Sequence, residues 1–401
     1  MKKVLSLALC GLAVFSLGAQ KTNVEQAKKL AGKVDKIGDA RALIGQALSD
    51  PETANQADTY YVAGKIEWDA FNKNKSTQAI NPDKVNPLEI GEQLLNGYNY
   101  FIQVFPLDQV PNEKGEVKPK YIKELQKKIA EKESDFFEAG ANFYNTENYP
   151  QAYQAFMIYG DLPELDLLGS QAPVVADTIR AVAYFNAGLA AWTANNLDNA
   201  AEAFKKARLN NYTDPNACIY EIATWQNIQQ RDENRLDEAK DRIYEAATAG
   251  FEQFGMEQPV FLNNIVNSLL NSDKEQEALN VVNGAIEQYP DLASLYGLRG
   301  FVYDRLGNDD ASEADYRKAS GMDGVDEETL KNGSKKLLRI GQTKWNDIPL
   351  GDPEALTKKA DIKNNYFYAA KAMVEKAREL NPSDPDLDYL TESVDYAVTL
   401  N

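Results

Sequence analysis

Residues 296–319, YGLRGFVYDRLGNDDASEADYRKA, repeat at a spacing of 34 the pattern of residues 262–285, LNNIVNSLLNSDKEQEALNVVNGA. Leu262 answers Tyr296, Ala278 answers Ser312, Val282 answers Tyr316 and Ala285 answers Ala319. Self-similarity at a fixed period of this length marks an array of helix–turn–helix units. No unit can bury its apolar face alone, and neighbours complete the core.

The pattern extends upstream. Tyr184, Ala187, Gly188, Ala200, Phe204 and Ala207 keep the same offsets, as do Phe136, Ala139, Gly140, Phe143, Ala152 and Phe156. Small residues at Gly140, Gly188 and Gly300 let two helices approach, and Phe156, Phe204 and Tyr316 on the second helix fill the space left. Proline stops the second helix, as at Pro290 after Ala285 and Pro382 after Ala377. The order of an aromatic, a small residue with Gly, a second aromatic, then Ala and an aromatic resembles the tetratricopeptide repeat. That resemblance implies an all-α, right-handed superhelical solenoid of about seven helix–turn–helix pairs.

Less regular units begin at Tyr60, Ala63 and Gly64, and run from Tyr220 through Ala239, Ile243 and Ala246. A leading helix pair is expected over Val24 to Leu48, and closing helices over Tyr366 to Leu380 and Leu387 to Leu400. The expected organisation is a signal peptide over 1–19, N-terminal helices with insertions over 20–130, a central array over 131–320 and capping helices over 321–401. Three detours rich in Pro, Gly and charge, Lys73 to Asn86, Pro106 to Lys120 and Asp161 to Ala176, read as loops.

Met1-Lys2-Lys3, the apolar run Val4 to Leu17 and the small residues Ser16, Gly18 and Ala19 form an export signal with cleavage after Ala19. The expected destination is a bacterial envelope, periplasmic or associated with the outer membrane. The signal's style and Gln20 resemble envelope proteins of the Bacteroides group. Lipid attachment at Cys10 is disfavoured, because Leu7-Ala8-Leu9 lacks the small residue such a site needs and apolar sequence continues beyond it. No stretch reaches the roughly 20 apolar residues of a membrane span. The remaining thiol, Cys218, reads as a small buried hydrophobe near a helix start.

The chain carries 43 Lys and Arg against 61 Asp and Glu, a formal charge of −18, which opposes nucleic acid and anionic membrane surfaces. A basic partner would be steered toward it. The sequence contains no His, which removes Ser-His-Asp and Cys-His catalysis, HExxH zinc sites and His-ligated haem. Phosphate loops of the GxxxxGK[ST] or GxGxxG type are absent. Asn308-Asp309-Asp310 reads as a helix-capping turn, since it lacks the ligand periodicity of a calcium loop. No cofactor and no catalytic or metal-binding residue is expected; a hydrolase using carboxylates alone is the enzymatic alternative.

A binding surface remains. The resemblance implies a concave wall made by the first helix of each pair, at offsets of roughly one, four, eight and eleven residues from the start of the unit. Carried over, those positions are Tyr61, Trp68, Phe137, Tyr144, Phe185, Trp192, Trp225, Asn263, Asn267 and Phe301. Rigid aromatics along a groove suit an extended peptide or an amphipathic helix, because they give much contact area for little rotamer entropy. The family's clamp for acidic tails is disfavoured: only Asn263 and Asn267 match it, Phe185, Glu221 and Gly297 stand where it has bases, and Lys65 is the one base placed on the wall. The expected function is a non-enzymatic adaptor for a protein or peptide. The alternative is a glycan-binding protein resembling the starch-utilisation lipoproteins, which stack sugars on Trp.

Overall fold

The computed structural model describes residues 21–111 and 114–400, and every regular element among them is helical. The expected signal segment 1–19, with Cys10, and Gln20 lie outside the described residues. The chain forms two compact units, one through Arg235 and one from Leu236, a division that falls inside the expected central segment.

In the first unit, residues 21–30 are helical (α1), followed by α2 (Ile37–Ser49), α3 (Ala57–Ile80), α4 (Pro87–Leu107), α5 (Ile122–Ala130), α6 (Glu133–Asn145), α7 (Tyr149–Asp161), α8 (Asp177–Thr193), α9 (Leu197–Leu209) and α10 (Asn216–Arg231). α3 pairs with α4, α6 with α7 and α8 with α9, and each pair stacks on the next through α4 against α6, α7 against α8 and α9 against α10. The second unit holds α11 (Leu236–Phe254), α12 (Pro259–Leu270), α13 (Glu275–Gln288), α14 (Ala293–Arg305), α15 (Asp309–Ser320), α16 (Glu327–Asn346), α17 (Ala355–Ile362), a π-helical turn (Lys363–Phe367), α18 (Tyr368–Leu380) and α19 (Asp386–Thr399). Here α14 pairs with α15, and α16 skips α17 to pair with α18.

One turn joins the helices of a pair. Glu147, Asn195, Asp273 and Gly307 each take a left-handed φ between 55° and 71°. The next residue's N–H then reaches back to a helical carbonyl, Asn196 to Ala191 at 2.9 Å and Asn308 to Tyr303 at 2.9 Å. This is the Schellman closure, and it ends one helix while presenting the cap of the next. Asn196 and Asn308 supply that cap, accepting from the N–H of Asn199 and Ala311.

The glycine argument holds in space. A Cβ on Gly140 would lie 2.7 Å from the Phe156 ring, one on Gly188 2.5 Å from Phe204, and one on Gly300 3.2 Å from Tyr316. Gly188→Leu is therefore expected to cost about 1–3 kcal/mol through overpacking, read as a lower midpoint in urea unfolding. A midpoint equal to wild type would show that α8 and α9 can separate freely.

The detours differ from expectation. Lys73 to Ile80 continues α3, because nothing stops the helix before Asn81-Pro82, and the hydroxyls of Ser76 and Thr77 bond back to the carbonyls of Asn72 and Lys73. Pro106 sits in the last turn of α4, and the loop after it is closed by the Asp108 carboxylate, which accepts from the N–H groups of Lys120, Tyr121 and Ile122. The segment after α7 forms two 3₁₀ turns that bury Leu162 and Leu168, and the second packs on α5, where Gln126 Nε2 donates to the Leu167 carbonyl. Cys218 lies buried near the start of α10, and burial pushes its thiol up to about 12.

Candidate functional site

In the second unit the first helices of successive pairs, α12, α14 and α16, border a groove of about 590 Å³. Side-chain periodicity places its walls. Leu262, Ile265, Val266 and Leu269 turn into the core, which leaves Asn263 and Asn267, one turn apart, exposed on the opposite face of α12. On α14 the same logic buries Leu295 and Tyr296 and leaves Ser294, Leu298 and Phe301 half-buried along one stripe. Leu298 and Phe301 form the apolar floor, and Asn263 and Asn267 one bank. The other bank is the first turns of α16, with Asp326, Glu328, Thr329 and Asn332.

Gly297 sets how close those helices come, since a Cβ there would lie 2.2 Å from Thr329 Oγ1. α16 starts where it does because Asp326 caps it, accepting from the Thr329 N–H at 2.8 Å and from the Thr329 hydroxyl at 3.0 Å. Glu328 accepts from Asn332 Nδ2 at 3.1 Å and lies 3.1 Å from Lys331 Nζ. Lys331 is shared with Glu327 and Asp384, and its ammonium sits well above the ordinary lysine range, chiefly through the bond to Asp384. Neither Asn263 nor Asn267 has a side-chain hydrogen-bond partner among the described residues. Two amides are thus offered over a hydrophobic floor, an arrangement suited to a main chain lying along the groove.

The groove brings together Asn263, Asn267 and Phe301 from the ten candidates. Three others are corrected by their burial. Tyr61 is 7% exposed, stacks on Tyr121 at 3.9 Å and donates to Glu124. Trp68 is 4% exposed, lies against Gly97 and Phe101, and donates from Nε1 to the Leu94 carbonyl at 3.0 Å. Trp225 is 7% exposed with the Arg235 guanidinium 5.1 Å from its ring. Tyr61 and Trp225 are thus packed into the core, and Trp68 fills the space beside Gly97, bordering a pocket of about 190 Å³ with the little surface it keeps. The remaining four are half-buried and pack on nearby rings: Phe137 against Phe156 and Tyr159, Tyr144 against Tyr149, Phe185 against Tyr212, Phe204 and Tyr220, and Trp192 against Tyr220.

Lys65 pairs with Asp69 at 2.5 Å and borders a pocket of about 190 Å³ that also receives Lys128 and Lys132. Both of those come from α5 and the turn after it, outside the repeat pattern. The acidic bank was likewise missed, although Asp326 followed three residues later by Thr329, with Leu330 and Leu337 behind, is a cap leading into an apolar stripe.

A family model described as the tetratricopeptide repeat matches residues 181–207, within α8 and α9, and 293–326, from α14 to the cap of α16. No curated protein matches the chain. Among solved structures it is similar to a thermophilic TPR protein of Thermus thermophilus, at 19% identity over 55% of this chain and 100% of that one, with a TM-score of 0.33. A TPR repeats protein of Bacteroides fragilis is 15% identical over 54% of this chain and 98% of that one, with a TM-score of 0.29. The TPR2AB domain of yeast Sti1, solved as a complex with pHSP90, is 13% identical over 84% of this chain and 98% of that one, with a TM-score of 0.25. At such identities and scores these likenesses say nothing about a ligand.

Proposed function

We propose that this chain, which carries tetratricopeptide repeats in both of its units, is a non-enzymatic scaffold that docks an extended segment of another protein in the groove between α12, α14 and α16. The observation that carries the reading is the pair Asn263 and Asn267, whose amides are unpartnered and stand over Leu298 and Phe301. The absence of His from the whole sequence supports a role in binding over one in catalysis. Among the described residues no helix is long and apolar enough to cross a membrane.

Peptides selected from a random display library on the full chain test this directly. Asn263→Ala with Asn267→Ala should weaken the selected peptides about tenfold or more, since two net hydrogen bonds of about 0.5–1.5 kcal/mol are lost. Peptides that bind wild type and variant alike would sink the assignment. The glycan reading is weaker because Trp68 and Trp225, two of its stacking platforms, are buried. Export to the envelope is part of the proposal, and a mature chain whose mass begins at Met1 would refute it.

A further inference from the structure

The groove is unevenly charged. Asp326 and Glu328 stand on its α16 bank, and no Lys or Arg is among the residues that line it. Of the bases nearest in sequence only Lys331 touches the bank, through Glu328. Arg299 is held by Asp315 at 2.7 Å and by Asn283 at 2.9 Å, and Arg305 reaches the Leu270 carbonyl. Lys331 is one ammonium shared among Glu327, Glu328 and Asp384. Lys335 is exposed but is not part of the lining. The acidic bank begins at a helix N-terminus, where the macrodipole favours carboxylates, so the negative sign belongs to the way α16 starts.

We infer that the groove's occupant is a basic peptide segment, whose main chain is held by Asn263 and Asn267 and whose Lys or Arg side chain reaches Asp326 and Glu328 across Phe301. This rests on the groove reading above. The aliphatic stem of such a side chain covers Leu298 and Phe301 while its charged head meets the carboxylates, which uses both halves of the lining. A guanidinium gains further from the face of the Phe301 ring. An acidic segment would meet Asp326, which has no base beside it among the described residues, and Glu328, whose one base, Lys331, is shared with Glu327 and Asp384, so the net repulsion disfavours it.

Three pools of fluorescent peptides, identical in length and apolar content but carrying Lys and Arg, Gln, or Asp and Glu at the polar positions, are titrated against the full chain. The basic pool should bind about tenfold or more tighter than the acidic pool at low salt, with the difference shrinking as salt rises. Asp326→Asn with Glu328→Gln keeps the cap and removes two charges, and should abolish the preference. Glu25→Gln with Glu52→Gln makes the same change in net charge at exposed positions of the first unit and should preserve it. A preference weakened equally by both charge variants overturns the inference, because the whole acidic chain would then be its source. Equal binding of all pools, still lost in Asn263→Ala with Asn267→Ala, also overturns it but leaves the groove reading standing. Binding that ignores the Asn variant sinks both.

Discussion

Arg208→Met is expected to lower the stability of the first unit by roughly 3–5 kcal/mol, the cost of stranding a buried charge. Arg208, in the last turn of α9, holds Glu221 of α10 through two parallel bonds, Nε at 2.7 Å and Nη2 at 3.1 Å. Glu221 is 0% exposed, so the loss of the two guanidinium bonds leaves a buried carboxylate with its charge less well compensated. Adding Glu221→Leu should restore most of the stability, because an apolar pair of similar volume is often as good as a buried ion pair. The readout is urea unfolding of the full chain, following the transition of the first unit. A single-variant loss below about 1 kcal/mol, or a double variant no better than the single, would refute the account.

Trp68→Ala is expected to cost about 3–5 kcal/mol, and Phe301→Ala clearly less. The two residues occupied the same kind of position in the repeat register, but their surroundings differ. Trp68 is enclosed by Gly97 and Phe101 with its indole N–H satisfied, so truncation leaves a cavity and removes the indole's bond to the Leu94 carbonyl. Phe301 is half-buried on the groove floor, where water can occupy the vacated space. Equal losses measured in the same urea titration would make Phe301 a core residue and remove the floor of the proposed site.

The comparison of Trp68 with Phe301 shows how far a register argument reaches. The offsets find the helix face, but the burial of a residue on that face depends on whether the neighbouring helix carries Gly97 or a larger residue at the point of contact. That is a fact about two segments packed together. The same limit hid the acidic bank. The spacing of 34 still reaches the start of α16, since α12, α14 and α16 begin at Pro259, Ala293 and Glu327. It breaks only beyond, where α16 pairs with α18 across residues 347–367. That Asp326 and Glu328 border a groove depends on how α14 and α16 meet. The signals that did survive were local ones. Asn308 was legible as a cap because its side chain bonds within its own turn, and Cys218 as buried because a lone thiol packs as a small hydrophobe.

The sequence by itself determined the all-helical class, the helix–turn–helix unit, the close pairing at Gly140, Gly188 and Gly300, and the exclusion of histidine chemistry. These follow from periodicity, steric size and composition, which act over one or two turns of chain. Only the tertiary structure decided that Tyr61, Trp68 and Trp225 are core, that Asn263, Asn267 and Phe301 share one groove, and that Asp326 and Glu328 give it a negative bank. Those outcomes depend on which helices meet and how closely, and no local pattern encodes the distance between segments that the chain brings together only when it folds.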